Sequence, residues 1–337
     1  MTRVVLLVGD GIGHDLIEPA RRVLEAAAPH LDLVEAEIGY GAFQRTNDAL
    51  PASTLSSVRA ANASLLVAVG SPLEQVEGYR SPIVRLRREL DLFCGLRPVK
   101  GLGDSAVDLL LVRDNTEGLY AGREHVEEGR AIAQRIVTRA ASTRIARVAG
   151  ELATGRKGRV CVVHKANVMR ETCGLFREAC MHVLSEFPGI EVSELLVDHA
   201  AYRLAAHPEE FDVLVTTNLF GDVLSDVAAH AGGGLGLVTS ANLGPEHALF
   251  EPVHGSAPDL AGRNLANPAA TFRAAAELLR HIGRSAQAEA LSHAIEHTLS
   301  AGPHTADLGG TASTSDFTEA VVSRIQPVVQ AMQNSAP

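Results

Sequence analysis

The sequence predicts an α/β fold with a largely parallel sheet, arranged in two domains. Short apolar runs alternate along the chain with amphipathic helical stretches, and this alternation is typical of sheets whose strands are connected by helices. The chain has 337 residues, of which 46% are apolar, so it is long enough for roughly two domains and a large core. No internal repeat and no low-complexity linker marks a domain boundary.

Individual elements follow from the hydrophobic pattern. Buried strands are predicted at RVVLLV, LLVAV, DLLLV, RVCVV and FDVLV, which are short apolar runs rich in β-branched residues. Helices are predicted at IEPARRVLEAAA, TRIARVAGELA, CGLFREACMHVLSEF and PAATFRAAAELLRHI, where apolar residues recur at helical spacing.

Composition excludes several classes of protein. A net charge of −10, the absence of Trp and only 4% aromatic residues argue against a nucleic-acid groove. The first apolar run is too short for a signal peptide, and no stretch reaches the roughly 20 apolar residues of a membrane span, so we expect a cytoplasmic protein. Cysteines are present without a CxxC pair, which favours core thiols over disulfides or zinc: Cys94, Cys161, Cys173 and Cys180.

The glycine-rich turn GDGIGHD follows the first predicted strand and opens a helix. Together with Glu35 and Glu37 at the end of the next strand, it partly matches a dinucleotide-binding fingerprint. That fingerprint requires a third glycine at the position of His14. A turn that contacts a ligand in some other way is therefore at least as well supported.

Two carboxylates lie four residues apart in TTNLFGDVLSD, which follows the strand FDVLV. On a helix, Asp222 and Asp226 would share a face and repel each other unless a positive group lies between them. A divalent cation would supply that charge. The alternative is a solvated first helical turn, where exposed N–H groups favour Asp, and it explains Asp222 better than Asp226.

Arginines lie close to predicted strand ends in the middle of the chain. Arg113 follows DLLLV, and Arg87 and Arg97 flank an apolar break in SPIVRLRRELDLFCGLRPVK. The planar guanidinium binds carboxylates through two hydrogen bonds, so these residues indicate a polycarboxylate ligand. For RLRRE alone, a solvated helix face is the preferred interpretation.

Seven motifs occur in an order that resembles the metal-dependent β-decarboxylating hydroxyacid dehydrogenases, which include isopropylmalate, isocitrate, homoisocitrate and tartrate enzymes. They are GDGIG, LRRELDLFCGLRP, RDNTEGLYAG, HKANV, VDHAAYRL, TTNLFGDVLSD and EPVHGSAPDLAGRNLANP, and the resemblance extends from Val4 to the C-terminal DLGGTASTSDFTEAVV. It implies a two-domain isopropylmalate/isocitrate dehydrogenase-like fold, not a standard Rossmann fold. The implied large cofactor-binding domain is 1–98 plus 234–337, and the smaller dimerisation and metal/substrate domain is 99–233.

The resemblance also implies a shared metal site. Asp198, Asp222 and Asp226 are expected to hold Mg²⁺ or Mn²⁺ with a small hydroxy-polycarboxylate substrate. Asp198 and Lys165 are expected to enter from the neighbouring subunit. We therefore expect a homodimer, or a tetramer, with shared active sites, and neither nucleic acid nor a membrane as partner.

Catalytic roles follow from the same resemblance. Lys165 is expected to take the hydroxyl proton, and Tyr120 to protonate the enolate left by decarboxylation, which the cation stabilises. Without the family context, these two residues would be a surface lysine and a core tyrosine. The residues expected to contact the substrate are Ser71, Val84, Arg87, Arg97, Arg113, Tyr120 and Lys165.

The HGSAPDLAG loop predicts the cofactor. Its small residues allow backbone N–H groups to approach an adenosine, and Asp259 can accept hydrogen bonds from a ribose diol while repelling a 2′-phosphate. Family members that prefer NADP are expected to carry Lys and Tyr in place of Asp259 and Leu260, so this chain is expected to use NAD. The expected contacts are Asn167, His254, Gly255, Ser256, Ala257, Asp259 and Asn267.

Substrate identity depends on the helix before Arg87. Ile83 and Val84 share its helical face, and this apolar pair argues against isocitrate as the main substrate and suits isopropylmalate. VEGYRSPIVRLRREL and RDNTEGLY nevertheless resemble homoisocitrate dehydrogenases more closely, and Arg80 could reach a distal carboxylate. The favoured reaction is homoisocitrate to 2-oxoadipate in lysine biosynthesis, with isopropylmalate second and isocitrate a further alternative.

Three positions depart from the family pattern: His14, Asp114 and Tyr202. None of them removes a catalytic group, although they leave open a specialised enzyme for an unusual malate analogue. A non-catalytic regulatory subunit, or a carboxylate-binding protein, is the alternative from another class. Such subunits typically lose a metal aspartate or the catalytic lysine and tyrosine, all of which are present here.

Overall fold

The structure is a computed structural model that describes residues 2–72, 74–103 and 105–334. Its strands, in chain order, are β1 (Arg3–Leu7), β2 (Asp32–Ala36), β3 (Ala63–Leu66), β4 (Cys94–Lys100), β5 (Asp108–Asp114), β6 (Glu124–Glu127), β7 (Arg130–Ala133), β8 (Arg159–His164), β9 (Glu191–Leu196), β10 (Val213–Thr216), β11 (Thr239–Leu243) and β12 (Ala248–Pro252). Its α-helices are α1 (Gly13–Ala27), α2 (Tyr40–Thr46), α3 (Ala52–Arg59), α4 (Pro82–Glu89), α5 (Arg139–Thr154), α6 (Arg170–Leu184), α7 (Val197–Ala206), α8 (Asn218–Ala231), α9 (Ala269–His281), α10 (Ser285–Ala301) and α11 (Thr314–Asn334).

The chain forms two compact units. The first comprises Met1–Leu86, Leu235–Ala241 and Glu246–Pro337, and the second comprises Arg87–Gly234 and Asn242–Pro245. Residues 87–98, which were predicted from the sequence to lie in the larger domain, belong to the second unit. The physical reason is that β4 pairs antiparallel with β5 along its whole length, from Cys94 opposite Asp114 to Lys100 opposite Asp108.

In the first unit, β1 is central, with β2 and β3 parallel on either side and β12 parallel to β3. Helices α1, α9, α10 and α11 pack against one another, and α9 also packs on β3 and β12. The apolar residues that recur at helical spacing along α1 are buried, and they include Leu16, Val23 and Leu24. These helical faces form the core of this unit together with the apolar residues of β1 and β3, which are also buried.

The second unit contains strands in the order β4-β5-β10-β8-β9, with β5, β10, β8 and β9 parallel. Helices α5 and α6 pack together, with α5 against β5, β8 and β10 and α6 against β8. Helices α7 and α8 also pack together, with α7 against β8 and β9 and α8 against β4, β5 and β10. Phe176 and Val183 of α6 and Val162 of β8 belong to one apolar core. The hairpin β6-β7 forms a separate two-stranded sheet.

Parallel strands bring the polar residues of the second unit to one edge. Thr216 at the end of β10 lies opposite Arg113 on β5 and opposite Val163 on β8. Because the carboxyl ends of parallel strands meet at the same edge, the segment that follows β10 begins beside Arg113, and the segment that follows β8 begins one strand further along that edge. Lys165 and α8 lie on these segments.

Each predicted strand and helix overlaps an element of the structure, although β3 ends at Leu66 and so contains only the first two residues of LLVAV. The α/β fold with a largely parallel sheet is confirmed. The four cysteines are buried free thiols, and burial raises the pKa of Cys161 to about 11, so this thiol is neutral at pH 7. No helix within the described residues has the length and apolar character of a membrane span.

Candidate active site

Arg113 and Asp222 form the centre of the candidate site in the second unit. Arg113 is 1% exposed, and its Nη1 donates to Asp222 Oδ1. Its Nε and Nη2 both donate to Asn218 Oδ1, at 3.0 and 2.7 Å. Gly221 makes this contact between β5 and α8 possible, because a Cβ there would lie 2.7 Å from Arg113 Cγ.

Arg97 approaches the same carboxylates from β4 and is 7% exposed. Its Nη1 donates to Ser225 Oγ at 2.8 Å, and its Nη2 lies 3.5 Å from Asp222 Oδ1. Its Nη1 is also 3.9 Å from Asp226 Oδ1. The like-charge pair on α8 is therefore compensated within the chain by two buried guanidinium groups.

Tyr120 completes the environment of Asp222. Its hydroxyl donates to Asp222 Oδ2, and its ring lies 5.2 Å from the guanidinium carbon of Arg113. Burial and the neighbouring Asp222 carboxylate raise the pKa of Tyr120, so its phenol stays protonated. Burial opposes ionisation of Asp222, but the positive charge of Arg113, the Tyr120 hydroxyl and the charge of Arg97 together lower the pKa of Asp222.

The loop that carries Tyr120 is held at several points. Tyr120 lies in a 3₁₀ turn, Leu119–Ala121, and its carbonyl accepts a hydrogen bond of 2.6 Å from Arg88 Nη2. Gly118 N donates to the Ile136 carbonyl at 2.7 Å. Because these bonds hold the backbone just before the turn and at Tyr120 itself, they orient the phenol toward Asp222 on α8.

Arg87 is buried and makes a polar contact with Asn242. Its Nε donates to Asn242 Oδ1 at 2.9 Å, and Asn115 Nδ2 donates to the same oxygen at 2.9 Å. The preferred interpretation of RLRRE as a solvated helix face is thus wrong for Arg87, which is 7% exposed. Burial of an arginine requires specific partners, and the chain supplies them from a distant segment.

Lys165 and Asp198 lie at the ends of neighbouring strands. Lys165 follows β8, Asp198 lies in the first turn of α7 after β9, and Lys165 Nζ donates to Asp198 Oδ1. Asp198 is exposed, and this hydrogen bond lowers its pKa. Among the described residues of one chain, no group of three or more His, Cys, Asp or Glu side chains is placed to hold a metal ion.

The predicted cofactor loop lies in the first unit and packs on the glycine-rich turn. Ile12 N donates to the Ser256 carbonyl at 2.8 Å, and a Cβ on Gly11 would lie 2.1 Å from that oxygen. This close backbone contact explains the glycine at position 11. Ala257 has a φ of 34°, a left-handed conformation that L-residues rarely adopt, so the loop is strained at this point.

The polar side chains on and near this loop differ in their partners. His254 Nε2 is buried without a hydrogen bond among the described residues, and burial lowers the pKa of this imidazole and keeps it neutral. Asn267 Nδ2 donates to Asp307 Oδ2 at 2.9 Å. Asp259 is exposed in the 3₁₀ turn Pro258–Leu260.

The remaining predicted residues are divided between the units. Ser71 and Val84 belong to the first unit, whereas Asn167 belongs to the second, in the turn after β8. Tyr79 donates to the carbonyl of Gly70, the residue directly before Ser71, at 3.3 Å.

Comparison with known proteins places these residues in a family context. The isocitrate/isopropylmalate dehydrogenase family profile matches residues 3–321. This chain belongs to that family. It is 45% identical over 329 residues to an isocitrate/homoisocitrate dehydrogenase of Thermus thermophilus, with 96% of this chain and 98% of the relative covered.

Other members of the isocitrate/isopropylmalate dehydrogenase family are similar over the same length. A 3-isopropylmalate dehydrogenase of Methanothermobacter thermautotrophicus is 42% identical over 331 residues, covering 96% of this chain and 98% of that protein. The crystal structure of isocitrate dehydrogenase from Methylococcus capsulatus superposes with a TM-score of 0.92 at 39% identity, covering 97% and 100% of the two chains. The protein is therefore a decarboxylating dehydrogenase, and the predicted two-domain fold distinct from a standard Rossmann fold is confirmed.

Several residues of the site were not identified from the sequence. They are the polar partners that hold the predicted groups: Asn115, His164, Asn218, Ser225 and Asn242. Asn218 and Ser225 lie within TTNLFGDVLSD, and His164 opens HKANV, so their motifs pointed to them. Asn242 has no comparable signal, because its role depends on contact with Arg87, 155 residues earlier.

Proposed function

We propose that this protein catalyses the NAD-dependent oxidative decarboxylation of homoisocitrate to 2-oxoadipate, CO₂ and NADH. The observation that carries the proposal is the convergence of Arg97, Arg113 and Tyr120 on Asp222 in the second unit. Buried guanidinium groups beside a paired carboxylate and a protonated phenol suit a substrate that carries several carboxylates and must be reprotonated at carbon.

Each side chain has a role in this reaction. Arg97 and Arg113 would bind the carboxylates of the malate-like core, since each is buried and its planar guanidinium matches a carboxylate. Asn115 Oδ1 and Asn218 Nδ2 are buried beside them without hydrogen-bond partners in the described part of the chain. Asn218 Nδ2 can donate to a substrate carboxylate oxygen, and Asn115 Oδ1 can accept from the substrate hydroxyl. Lys165 would take the hydroxyl proton, and Tyr120 would return a proton to the carbon that loses CO₂.

Asp222 and Asp226, with Asp198 of a second copy, would hold Mg²⁺ or Mn²⁺, because carboxylate oxygens are the donors these cations prefer. When bound, the cation supplies Lewis-acid stabilisation of negative charge on the substrate oxygen. The fit is supported by two carboxylates on one face of α8, four residues apart. The third carboxylate would come from a second chain, since the described residues of one chain bring no group of three such side chains together.

The cofactor proposal rests on the loop in the first unit. NAD would supply the hydride acceptor, with Asp259 on the adenosine ribose and the buried His254 Nε2 available as a hydrogen-bonding group. Asp259 is exposed and makes no ion pair among the described residues, so its charge is available to repel a 2′-phosphate. The family as a whole uses NAD or NADP with a divalent metal.

A dimer with shared sites is supported by exposed apolar side chains near these elements. Val168 is 68% exposed beside the Lys165 turn, Tyr202 is 65% exposed on α7, and Val223 is 56% exposed on α8. Helices α7 and α8 pack against each other, so they present one surface. Burial of these side chains against a second copy would stabilise a homodimer and bring Lys165 and Asp198 to the other chain's carboxylates.

The substrate is tested by initial rates of NADH formation with homoisocitrate, isocitrate, 3-isopropylmalate and malate, compared as kcat/KM at fixed Mg²⁺. We expect homoisocitrate to give the highest value. The names of the relatives make 3-isopropylmalate and isocitrate the alternatives, and a higher kcat/KM for either would replace the proposed substrate. Absence of NADH formation from every substrate by the purified chain would favour a regulatory subunit.

A further inference from the structure

We propose that His164 is a positioning residue that holds the turn carrying Lys165 in its productive conformation. The proposal rests on the catalytic role proposed above for Lys165. His164 is the last residue of β8, directly before Lys165, and it is 5% exposed. A histidine this deeply buried has a specific hydrogen-bonding environment, and here that environment includes the backbone of the lysine turn.

The contact with the turn is direct. Ala166 N donates to His164 Nδ1 at 3.1 Å, so the ring spans Lys165 and fixes the peptide on its far side. The Lys165 carbonyl accepts hydrogen bonds from Val168 N at 3.1 Å and Met169 N at 2.9 Å. These bonds close the turn, and the imidazole anchors it to the strand.

The opposite side of the imidazole ring faces an ion pair formed by Glu194 and Arg177. His164 Nε2 lies 3.5 Å from Glu194 Oε2 on the neighbouring strand β9 and has no closer hydrogen-bond partner in the described part of the chain. Glu194 is itself held by Arg177, whose Nη2 donates to Glu194 Oε1 at 2.8 Å. Burial lowers the pKa of His164 and keeps the ring neutral, so Nδ1 accepts the hydrogen bond from Ala166 N and Nε2 carries the hydrogen that points at Glu194.

The two ring nitrogens can be tested separately by substitution. In His164→Asn, the amide oxygen lies close to the position of Nδ1 and can still accept from Ala166 N, while the contact with Glu194 is lost. In His164→Gln, the longer side chain reaches toward Glu194, but no acceptor remains beside Ala166 N. If the hydrogen bond from Ala166 N is the contact that positions Lys165, the two variants differ in activity although both lose the imidazole.

We expect His164→Asn to keep kcat within about threefold of the wild type. We expect His164→Gln to lose roughly 10- to 100-fold in kcat, because small displacements of a reacting group have effects of this size. KM for the substrate should change little in either variant, since Arg97 and Arg113 are untouched. Thermal unfolding of both variants checks that a general loss of packing does not explain the difference.

Amide hydrogen exchange at Ala166 provides a readout that does not depend on activity. Faster exchange in His164→Gln than in His164→Asn or the wild type supports the proposed contact, and equal exchange in both variants overturns it. Faster exchange with an unchanged kcat, or equal losses of kcat in both variants, overturns the positioning role. The activity of Lys165→Ala is measured in the same experiment. A fully active Lys165→Ala enzyme would overturn the catalytic role of Lys165, whereas the contact between His164 and Ala166 would still be judged by the exchange data.

Discussion

Arg113 Nη1 donates to Asp222 Oδ1 across the contact between β5 and α8, and the same guanidinium donates twice to Asn218, one turn earlier on that helix. One buried arginine therefore holds two residues of α8, Asn218 and Asp222, which lie one helical turn apart on the same face. Asp222 is consequently held in place by its own chain, whereas Asp226 is more exposed and its contact with Arg97 is longer, at 3.9 Å.

Asp222→Asn should weaken Mg²⁺ binding and nearly abolish turnover while the fold is retained, because it removes a charge and little volume. The measurement is NADH formation as a function of Mg²⁺ concentration, with circular dichroism to check folding. Glu178→Gln, which removes an exposed α6 carboxylate paired with Arg139, is the matched control and should behave as wild type. An unaltered Mg²⁺ dependence in Asp222→Asn would contradict the metal assignment.

Mixing two inactive variants should restore activity if the sites are shared. A heterodimer of Lys165→Ala and Asp222→Asn chains contains one site with Asp222 from the first chain and Lys165 from the second, so partial recovery is expected after subunit exchange. Asp222→Asn mixed with Asp226→Asn is the control, because both residues lie on α8 of the same chain and no intact site can form. Lack of recovery in the first mixture, with heterodimers detected by mass spectrometry, would argue for sites built from one chain.

Asp259→Lys combined with Leu260→Tyr should move cofactor preference from NAD toward NADP. The substitution removes a negative charge that repels the 2′-phosphate and adds a positive partner. Because each 1.4 kcal/mol corresponds to a tenfold change, the ratio of kcat/KM values should shift by roughly two decades. Leu260→Tyr alone is the control and should change the ratio much less; equal use of both cofactors by the wild type would refute this role of Asp259.

Gly221→Ala should reduce activity although alanine favours helices. A Cβ at this position would lie 2.7 Å from Arg113 Cγ and 2.9 Å from Arg113 Cβ, so the buried arginine must move away from Asp222. We expect destabilisation of about 1–3 kcal/mol, typical of overpacking. Thermal or urea unfolding measures it, together with kcat.

Gly174→Ala on α6 provides the matched control for that substitution. No atom lies within 4 Å of a Cβ at Gly174, so the change should stabilise the protein by about 0.5–1 kcal/mol through helix propensity. If Gly221→Ala were equally stabilising and fully active, the close packing of Arg113 on α8 would not constrain the site.

The elements of the fold were predictable because the information is local. The strands RVCVV and FDVLV and the helix CGLFREACMHVLSEF are defined by the spacing of apolar residues within one segment, and the structure places them as β8, β10 and α6. The division into units was harder to predict. It depends on the pairing of β4 with β5, and pairing between strands is not encoded in either segment alone.

The residues of the candidate site also fall into a predictable group and an unpredictable one. Its charged residues were recognisable from the order of the motifs, because arginines and aspartates in these patterns are typical of sites that bind carboxylates and metal ions. The neutral partners were not recognisable, since Asn218 and Asn242 become significant only when folding brings them against Arg113 and Arg87, 105 and 155 residues distant in the chain. The burial of Arg87 was likewise decided by tertiary contacts, because its neighbour Arg88 has the same local sequence context and is exposed.

The sequence by itself therefore determined the α/β class, the order of its elements and the residue types available for the chemistry. Tertiary structure decided which of those charges are buried, which neutral groups hold them and where glycine is required, as at Gly11 and Gly221. The physical reason is that hydrophobic periodicity acts over a few residues, whereas the cost of burying a charge is offset only by partners that the folded chain assembles from distant segments.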